Sequence, residues 1–395
     1  MVIVAPVVAF ADATVGPGWV DVRGGRIHAV GRGATGEATH RFSKSMLVPG
    51  FVDIHVHGGL GAAFHSASAD EVGRARRFHL SHGTTTSLAS LITASPPNLL
   101  AQVRVLADCA EAGLIAGIHL EGPWLSARRP GAHDRTQLRE PDREEFAQLV
   151  RASRGHLRSV TIAPELPGAL DLIRAIEDSG SVPAIGHTDA DYDTTRRAIA
   201  AGARVATHLF NAMRPMHHRE PGPVPALLEN PDVIVEVIAD GAHLHDAVLH
   251  QILAVAGMQR TAVVTDAAPP AGLPDGDYQF GNLPVTVEDG IAHQPDSDVL
   301  AGSTATMADQ FRRVLAQQSD RRAAVACAVQ LTATTPARAA GLADVGTLAP
   351  GARADILVLD QTGRVEQVIQ RGRFLSAARH EPGTAEITVC EVRPD

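Results

Sequence analysis

Two histidines, His55 and His57, follow Phe51-Val-Asp-Ile54 in a short stretch bracketed by Pro49-Gly50 and Gly58. Apolar and polar residues alternate through it and β-branched types dominate, so it reads as one buried strand over 51–57. Side chains alternate faces along a strand, which puts Asp53, His55 and His57 on one side. Two imidazoles on one face, followed by a glycine, make half of a metal site. The pair alone is equally well explained by hydrogen bonds at a strand end, so the rest of the chain has to decide.

Further metal-ligand types stand at the ends of later apolar runs. Glu121 closes Gly117-Ile-His-Leu-Glu121, His187 closes the run from Val182, His208 sits in the run from Val205, and Asp266 closes the run from Thr261. Imidazole and carboxylate are ligands for first-row divalent metals, and a mixed set leaves coordination positions open. An ion in such a set lowers the pKa of bound water from about 15.7 to about 7. Asp266 either binds the ion or holds the water and shuttles its proton to a leaving group. The chemistry this predicts is hydrolysis of an amide, a cyclic amide or an amidine.

Those residues need elements that bring strand ends together. Eight runs read as strands: 51–57, 84–91, 117–121, 159–163, 182–187, 205–210, 233–239 and 261–266. Helical stretches lie between them. The run from Ala69 opens with acids and continues toward Gly83; Pro141 to Val150 has proline and acids in its first turn; Thr194 to Ala201 stops at Gly202. Strand and helix in alternation predict a (β/α)8 TIM-like barrel, whose chemistry sits at the C-terminal strand ends. His187 and His208 are about one strand–helix–strand repeat apart, at equivalent heights on neighbouring strands. An excursion over 278–300 follows the eighth strand, and 305–318 and 321–332 read as closing helices.

The chain ends are β-rich. Residues 18–31 read as two strands joined at Gly24-Gly25, and 351–360 and 365–375 offer more. Neither end has enough strands for a stable sheet alone. They are expected to combine, 1–48 with 345–395, into a small β-sandwich domain beside a barrel over 49–344.

The 395 residues are 45% hydrophobic and 20% charged, with a net charge of -9, which argues against nucleic-acid and anionic-membrane binding. No apolar run is long enough to span a bilayer. Cys109, Cys327 and Cys390 are too few and too far apart for a disulfide framework. The start, Met1-Val-Ile-Val-Ala-Pro6, lacks the basic and apolar parts of a signal peptide, so a cytoplasmic location is expected. Lys44 is the only lysine, so a carbamylated barrel lysine is excluded as a metal bridge, whereas 19 histidines are ample for ligation.

With His-x-His on strand one, His on strands five and six and Asp on strand eight, the chain resembles the amidohydrolase superfamily. More narrowly it resembles the N-acetylglucosamine-6-phosphate deacetylases, over about 49–350. The stretches that carry this are His119-Leu-Glu-Gly-Pro-Trp-Leu125, Gly131-Ala-His-Asp134, Gly186-His-Thr188 and Thr207-His-Leu-Phe-Asn-Ala-Met213. Arg219-Glu-Pro-Gly222, Ala239-Asp-Gly-Ala-His243, Val264-Thr-Asp-Ala267 and Leu300-Ala-Gly-Ser-Thr304 complete them. Trp124 stands where phenylalanine is common in the family.

The resemblance implies roles for particular residues. Glu121, His187 and His208 become the main metal ligands, with His55, His57 and Asp266 open to a second ion. Asp266 becomes the general acid/base, and His243 the contact to the acetamido carbonyl. Ala132, His133, Asn211, Ala212, Asp240, Gly241, Ala242, Leu300, Ala301 and Gly302 match substrate contacts. Arg219 matches an arginine that reaches the sugar phosphate of the neighbouring subunit, which implies a homodimer. The cofactor expected is one or two divalent metals per subunit, zinc first and then iron, cobalt or manganese. The function expected is hydrolysis of N-acetyl-D-glucosamine 6-phosphate to D-glucosamine 6-phosphate and acetate by metal-activated water. The alternatives are the N-acetylgalactosamine counterpart, another amidohydrolase (a cyclic-amide hydrolase or adenine deaminase) and a barrel that has become a scaffold. His119 is expected to support a ligand or substrate, and loop 127–130 to cover the site as a lid.

Overall fold

The computed structural model describes residues 1–375. Cys390 and the expected domain segment 376–395 lie outside the described residues. The chain divides into two compact units. One holds Met1–Asp53, Arg77–Thr86 and the chain from Thr306; the other holds Ile54–Arg76 and Ser87–Ala305.

The alternating pattern yields the expected eight-stranded sheet. Its strands are β1 (Phe51–Asp53), β2 (Thr84–Leu91), β3 (Gly117–Glu121), β4 (Leu157–Ile162), β5 (Val182–Ile185), β6 (Val205–Ala206), β7 (Ile234–Val237) and β8 (Thr261–Val263). They lie side by side in chain order, and the pairs from β2 to β8 are parallel. One helix follows each strand: α1 (Ala69–Ser81), α2 (Pro96–Glu111), α3 (Arg143–Ser153), α4 (Ala169–Asp178), α5 (Tyr192–Ala200), α6 (Pro223–Glu229), α7 (Asp246–Ala256) and α8 (Met307–Ala316). This is the (β/α)8 arrangement. All residues of β2 and β3 are buried, which explains why the strands read as apolar runs rather than alternating ones.

Caps set the helix starts. Asp142 accepts from Glu144 N and Glu145 N, so α3 begins one residue beyond it and Pro141 lies outside. Asp191 caps α5 through Thr194 N at 2.7 Å, so that helix starts before Thr194. Such a cap contributes about 1 kcal/mol.

The strands at the site are shorter than the sequence pattern suggests. β1 ends at Asp53, and His55 and His57 lie beyond it. The segment still bridges its neighbours by irregular bonds. Asp266 N donates to His55 O at 2.8 Å and His57 N to Ala267 O at 2.9 Å; Ser90 N donates to Val56 O at 2.9 Å. Val56 N uses the Ser90 hydroxyl instead of a backbone acceptor. This is why one continuous strand does not form: the chain serves two neighbours at once and takes a side chain into its ladder. β5, β6 and β8 likewise stop at Ile185, Ala206 and Val263, short of His187, His208 and Asp266.

Both chain ends meet in one sheet, as expected. Strands Val2–Ala9, Val15–Arg23 and Arg26–Arg32 join Ile356–Leu359, Val365–Gln370 and Arg373–Leu375 across Met46–Pro49. Ile3, Val20, Leu47, Ile356 and Val358 are fully buried in its core. The excursion after β8 is an antiparallel sheet of Gly276–Phe280, Leu283–Glu288 and Ile291–His293.

Candidate metal centre

Register places the ligands. Ile185 pairs with Ala206, so His187 and His208, two residues further on, share a level. Their Nε2 atoms are 3.1 Å apart. Both residues, and Asp266, sit in the left-handed region, at φ of 46°, 28° and 48°. Non-glycine residues there are strained by roughly 1–3 kcal/mol each and cluster at functional sites. The reversal comes two or three residues past each strand end and turns the side chain toward the cluster.

Glu121 is the focus. Its Oε1 lies 3.0 Å from His208 Nε2, 3.1 Å from His187 Nε2 and 3.3 Å from His55 Nε2. Its Oε2 lies 3.2 Å from both His57 Nε2 and His133 Nε2. Asp266 Oδ1 completes the cluster, 3.1 Å from His57 Nε2 and 3.4 Å from His55 Nε2. Two candidate ligand groups result among the described residues, His55, His57 and Asp266, and Glu121, His133 and His187, linked by the contacts of Glu121 to His55 and His57.

The donor set fits divalent cations. Ligands on a tetrahedral ion with bonds of about 2.0–2.1 Å stand about 3.3 Å apart, which matches these separations. The far ring nitrogens of His55 and His187 are committed elsewhere. His55 Nδ1 faces Glu236 Oε2 at 3.1 Å, and His187 Nδ1 faces the Arg129 carbonyl at 3.0 Å. Donation from Nδ1 leaves the Nε2 lone pair aimed at the cluster, the usual arrangement behind a metal ligand. In these positions Nε2 of His55 lies 3.1 Å from Nε2 of His57, close enough for one proton or one cation to serve both.

Electrostatics agree. Burial disfavours a charged His55, but the Glu121 and Asp266 carboxylates outweigh it and hold its pKa well above the usual histidine value. Burial opposes ionisation of Glu121, yet His55 and hydrogen bonds from His133, His187 and His208 keep it far below the carboxylate range. Asp266 is held low in the same way, first by His55 and then by His57. His187 is dominated by burial and falls to about 4. The carboxylates that draw protons onto these rings would draw a cation into the same place.

Beneath the ligands runs a buried polar layer. His119 joins Ser90 Oγ at 2.9 Å and Thr161 Oγ1 at 2.8 Å, with its ring edge-on to His55 at 4.5 Å. It supports a ligand from below.

A cavity of about 700 Å³ opens onto the cluster. Of the residues expected to touch substrate, Ala132, His133, Asn211, Ala212, His243, Leu300 and Gly302 line it. Asp240, Gly241, Ala242 and Ala301 are not among the lining residues, nor is Arg219, which is exposed in the loop after β6. Asp240 turns to His243 instead: its Oδ2 lies 2.7 Å from His243 Nδ1, leaving Nε2 as the free ring nitrogen. Its Oδ1 accepts from Ala242 N and His243 N, both at 2.9 Å. Two glycines permit close approach. A Cβ on Gly131, at φ 51°, would lie 2.9 Å from His187 Cε1, and one on Gly302, at φ 68°, 2.7 Å from Asp266 O. Loop 127–130 borders the cavity, and Arg128 and Arg129 both pair with Asp189, at 3.3 and 2.8 Å.

Three functional contacts were missed in the sequence. Asp240's orienting role and His133's reach to Glu121 leave no local signature. Glu236 does: it is a carboxylate inside the apolar run Val233-Ile-Val-Glu-Val-Ile238, and a buried charge needs a partner. It finds His55 Nδ1 and, at 3.3 Å, His208 N.

Asp240→Asn should keep the bound metal yet lower kcat by about tenfold or more, because His243 loses the carboxylate that holds its ring through Nδ1. Metal content and steady-state rates on one preparation check this; an unchanged kcat would remove Asp240 from the site.

The amidohydrolase family profile matches residues 46–375. N-acetylglucosamine-6-phosphate deacetylase of Vibrio furnissii is 34% identical over 85% of this chain and 84% of its own length. N-acetylgalactosamine-6-phosphate deacetylase of Escherichia coli O157:H7 is 32% identical over 84% of this chain and 88% of its own. The crystal structure of N-acetyl-D-glucosamine-6-phosphate deacetylase from Mycobacterium smegmatis superposes with a TM-score of 0.92 at 46% identity, covering 95% of this chain and 99% of that one. The barrel, its converging ligands and these likenesses agree: the chain belongs to the amidohydrolase family, among relatives that are amino-sugar 6-phosphate deacetylases.

Proposed function

We propose that this chain removes acetate from N-acetyl-D-glucosamine 6-phosphate, leaving D-glucosamine 6-phosphate. The observation that carries the reading is the convergence of the Glu121 cluster, Asp266 and His243 on one cavity, in a chain whose relatives bear that activity. The galacto epimer is the second reading, since one relative of similar identity is named for it. A panel of both epimers, with and without the 6-phosphate, separates the two.

The centre takes divalent cations, zinc first and then iron, cobalt or manganese. Glu121, His187 and His208 hold one, with His133 at the same carboxylate; His55, His57 and Asp266 hold a second. A bound cation polarises the amide carbonyl and acidifies the attacking water. Asp266, buried and kept ionised, accepts the water's proton and delivers it to the leaving nitrogen as the C–N bond breaks. With a proton on both ring nitrogens, His243 donates from Nδ1 to Asp240 Oδ2, which holds the ring, and from Nε2 to the oxygen on which charge develops.

Arg219 serves the phosphate from the neighbouring subunit of a homodimer. It is exposed and absent from its own cavity lining, and its forked guanidinium suits phosphate oxygens. The reaction belongs to a reducing cytoplasm, in keeping with the free thiols of Cys109 and Cys327.

Asp266→Asn should lower kcat by about a thousandfold or more while substrate still binds, measured by acetate release and by calorimetry; near-normal turnover would end its role as proton carrier. Arg219→Ala should raise KM about tenfold or more with kcat less affected. Mixing the two variants should restore low-KM turnover, because a heterodimer regains one site with intact Asp266 and the partner's arginine. No recovery on mixing would place the phosphate ligand within the same chain.

A further inference from the structure

Beside the reaction cavity lies a second one of about 250 Å³, and the two share Ala132, Phe280 and Leu283 as walls. Phe280 is buried, with its ring edge-on to His57 at 5.2 Å and tilted against His65 at 5.7 Å. It therefore stands between the metal ligands and the second cavity. The hairpin tip that carries it is pinned. Gly281 N donates to His65 Nε2 at 3.2 Å, and Asn282 Nδ2 reaches Asp134 Oδ2 at 3.5 Å. Gly281, at φ 60°, fits so closely that a Cβ there would lie 2.5 Å from Ile92 Cδ1.

The acyl carbon of an amide substrate has to lie against the ligand cluster, where water and Asp266 act on it. The rest of the acyl group is one bond further on, within reach of the Phe280 ring that lines the cavity next to His57. On the deacetylase reading above, we infer that Phe280 is the residue that limits the acyl group to acetyl, closing the acyl end of the reaction cavity against the side cavity behind it. The polar residues lining the side cavity are Asn98, Gln102, Gln137 and Asn282 together with Thr93, Ser95, His65 and Asp134, the last two engaged by the hairpin tip, and no lysine or arginine among the described residues lines it. An acyl chain that reached it would be accepted with a neutral hydroxyl end. Hydrolysis is otherwise unchanged: water supplies oxygen to the released acid, and the sugar leaves as the amine.

The test compares wild type with Phe280→Leu and Phe280→Ala on N-acetyl-, N-butanoyl- and N-(4-hydroxybutanoyl)-glucosamine 6-phosphate. The readout is kcat/KM for release of the amine, with melting temperature confirming that each variant is folded. One methylene in a fitted pocket is worth about 10–200-fold, so wild type should favour acetyl over butanoyl by about 100-fold or more. The alanine variant should narrow that ratio by about tenfold or more, through faster butanoyl turnover, with leucine between the two. It should also prefer the hydroxylated chain to the plain one. A ratio within about twofold of wild type in both folded variants would overturn the role of Phe280 while leaving the deacetylase reading intact. Failure of the wild type to release acetate from the acetyl substrate would overturn both.

Discussion

Everything at this barrel mouth depends on the Glu121 carboxylate and the five imidazoles around it. His55, His57, His133, His187 and His208 each present Nε2 within 3.3 Å of one of its oxygens. A carboxylate this deeply buried costs several kcal/mol to desolvate and needs compensating charge. Protons on the rings or cations between them supply it, and the two compete for the same lone pairs. With the only lysine at Lys44, the carboxylate that joins both ligand groups must come from an acidic residue, and Glu121 is the one placed to do it.

That demand shapes the backbone. Side chains of a barrel strand alternate between the interior and the surrounding helices, so a ligand reaches the mouth either as a strand's last residue, as Glu121 does, or by leaving the ladder toward the centre. His187, His208 and Asp266 leave it through left-handed residues just past the strand ends, and His55 and His57 through a bent segment bonded to both Ser90 and the residues after β8. The rest of the site holds these strained positions in place. Glu236 joins His55 to the backbone of His208, Arg129 carries His187 from above, and the His119–Thr161 layer closes the floor. Ligands belonging to different strands are thereby locked to one another.

The barrel and the gathering of candidate ligands at one end were legible in the sequence because they rest on periodic and chemical signals. Buried runs punctuated by helices predict eight strands, and strand-end histidines and carboxylates predict the centre. Where the strands stop was not legible, because non-glycine residues in the left-handed region look like any others. Asp240 matched a motif but not its own geometry: a carboxylate three residues before a histidine can face substrate or the ring, and only the turn around Gly241 decides. His133 was read as a substrate contact, and its reach to Glu121 depends on a loop path that no local pattern encodes. Phe280 lies in an excursion whose position over the mouth follows from packing against His57, His65 and Ile92, residues distant in sequence.

The shared carboxylate is most directly tested by anomalous diffraction at the zinc edge from crystals of the zinc-loaded wild-type protein. Two peaks per chain are expected, one on the His187 and His208 side of Glu121 and one on the His55 and His57 side, with the carboxylate touching both. Density on one side only would contradict the bridging role of Glu121, and no density at this cluster would contradict the metal centre itself.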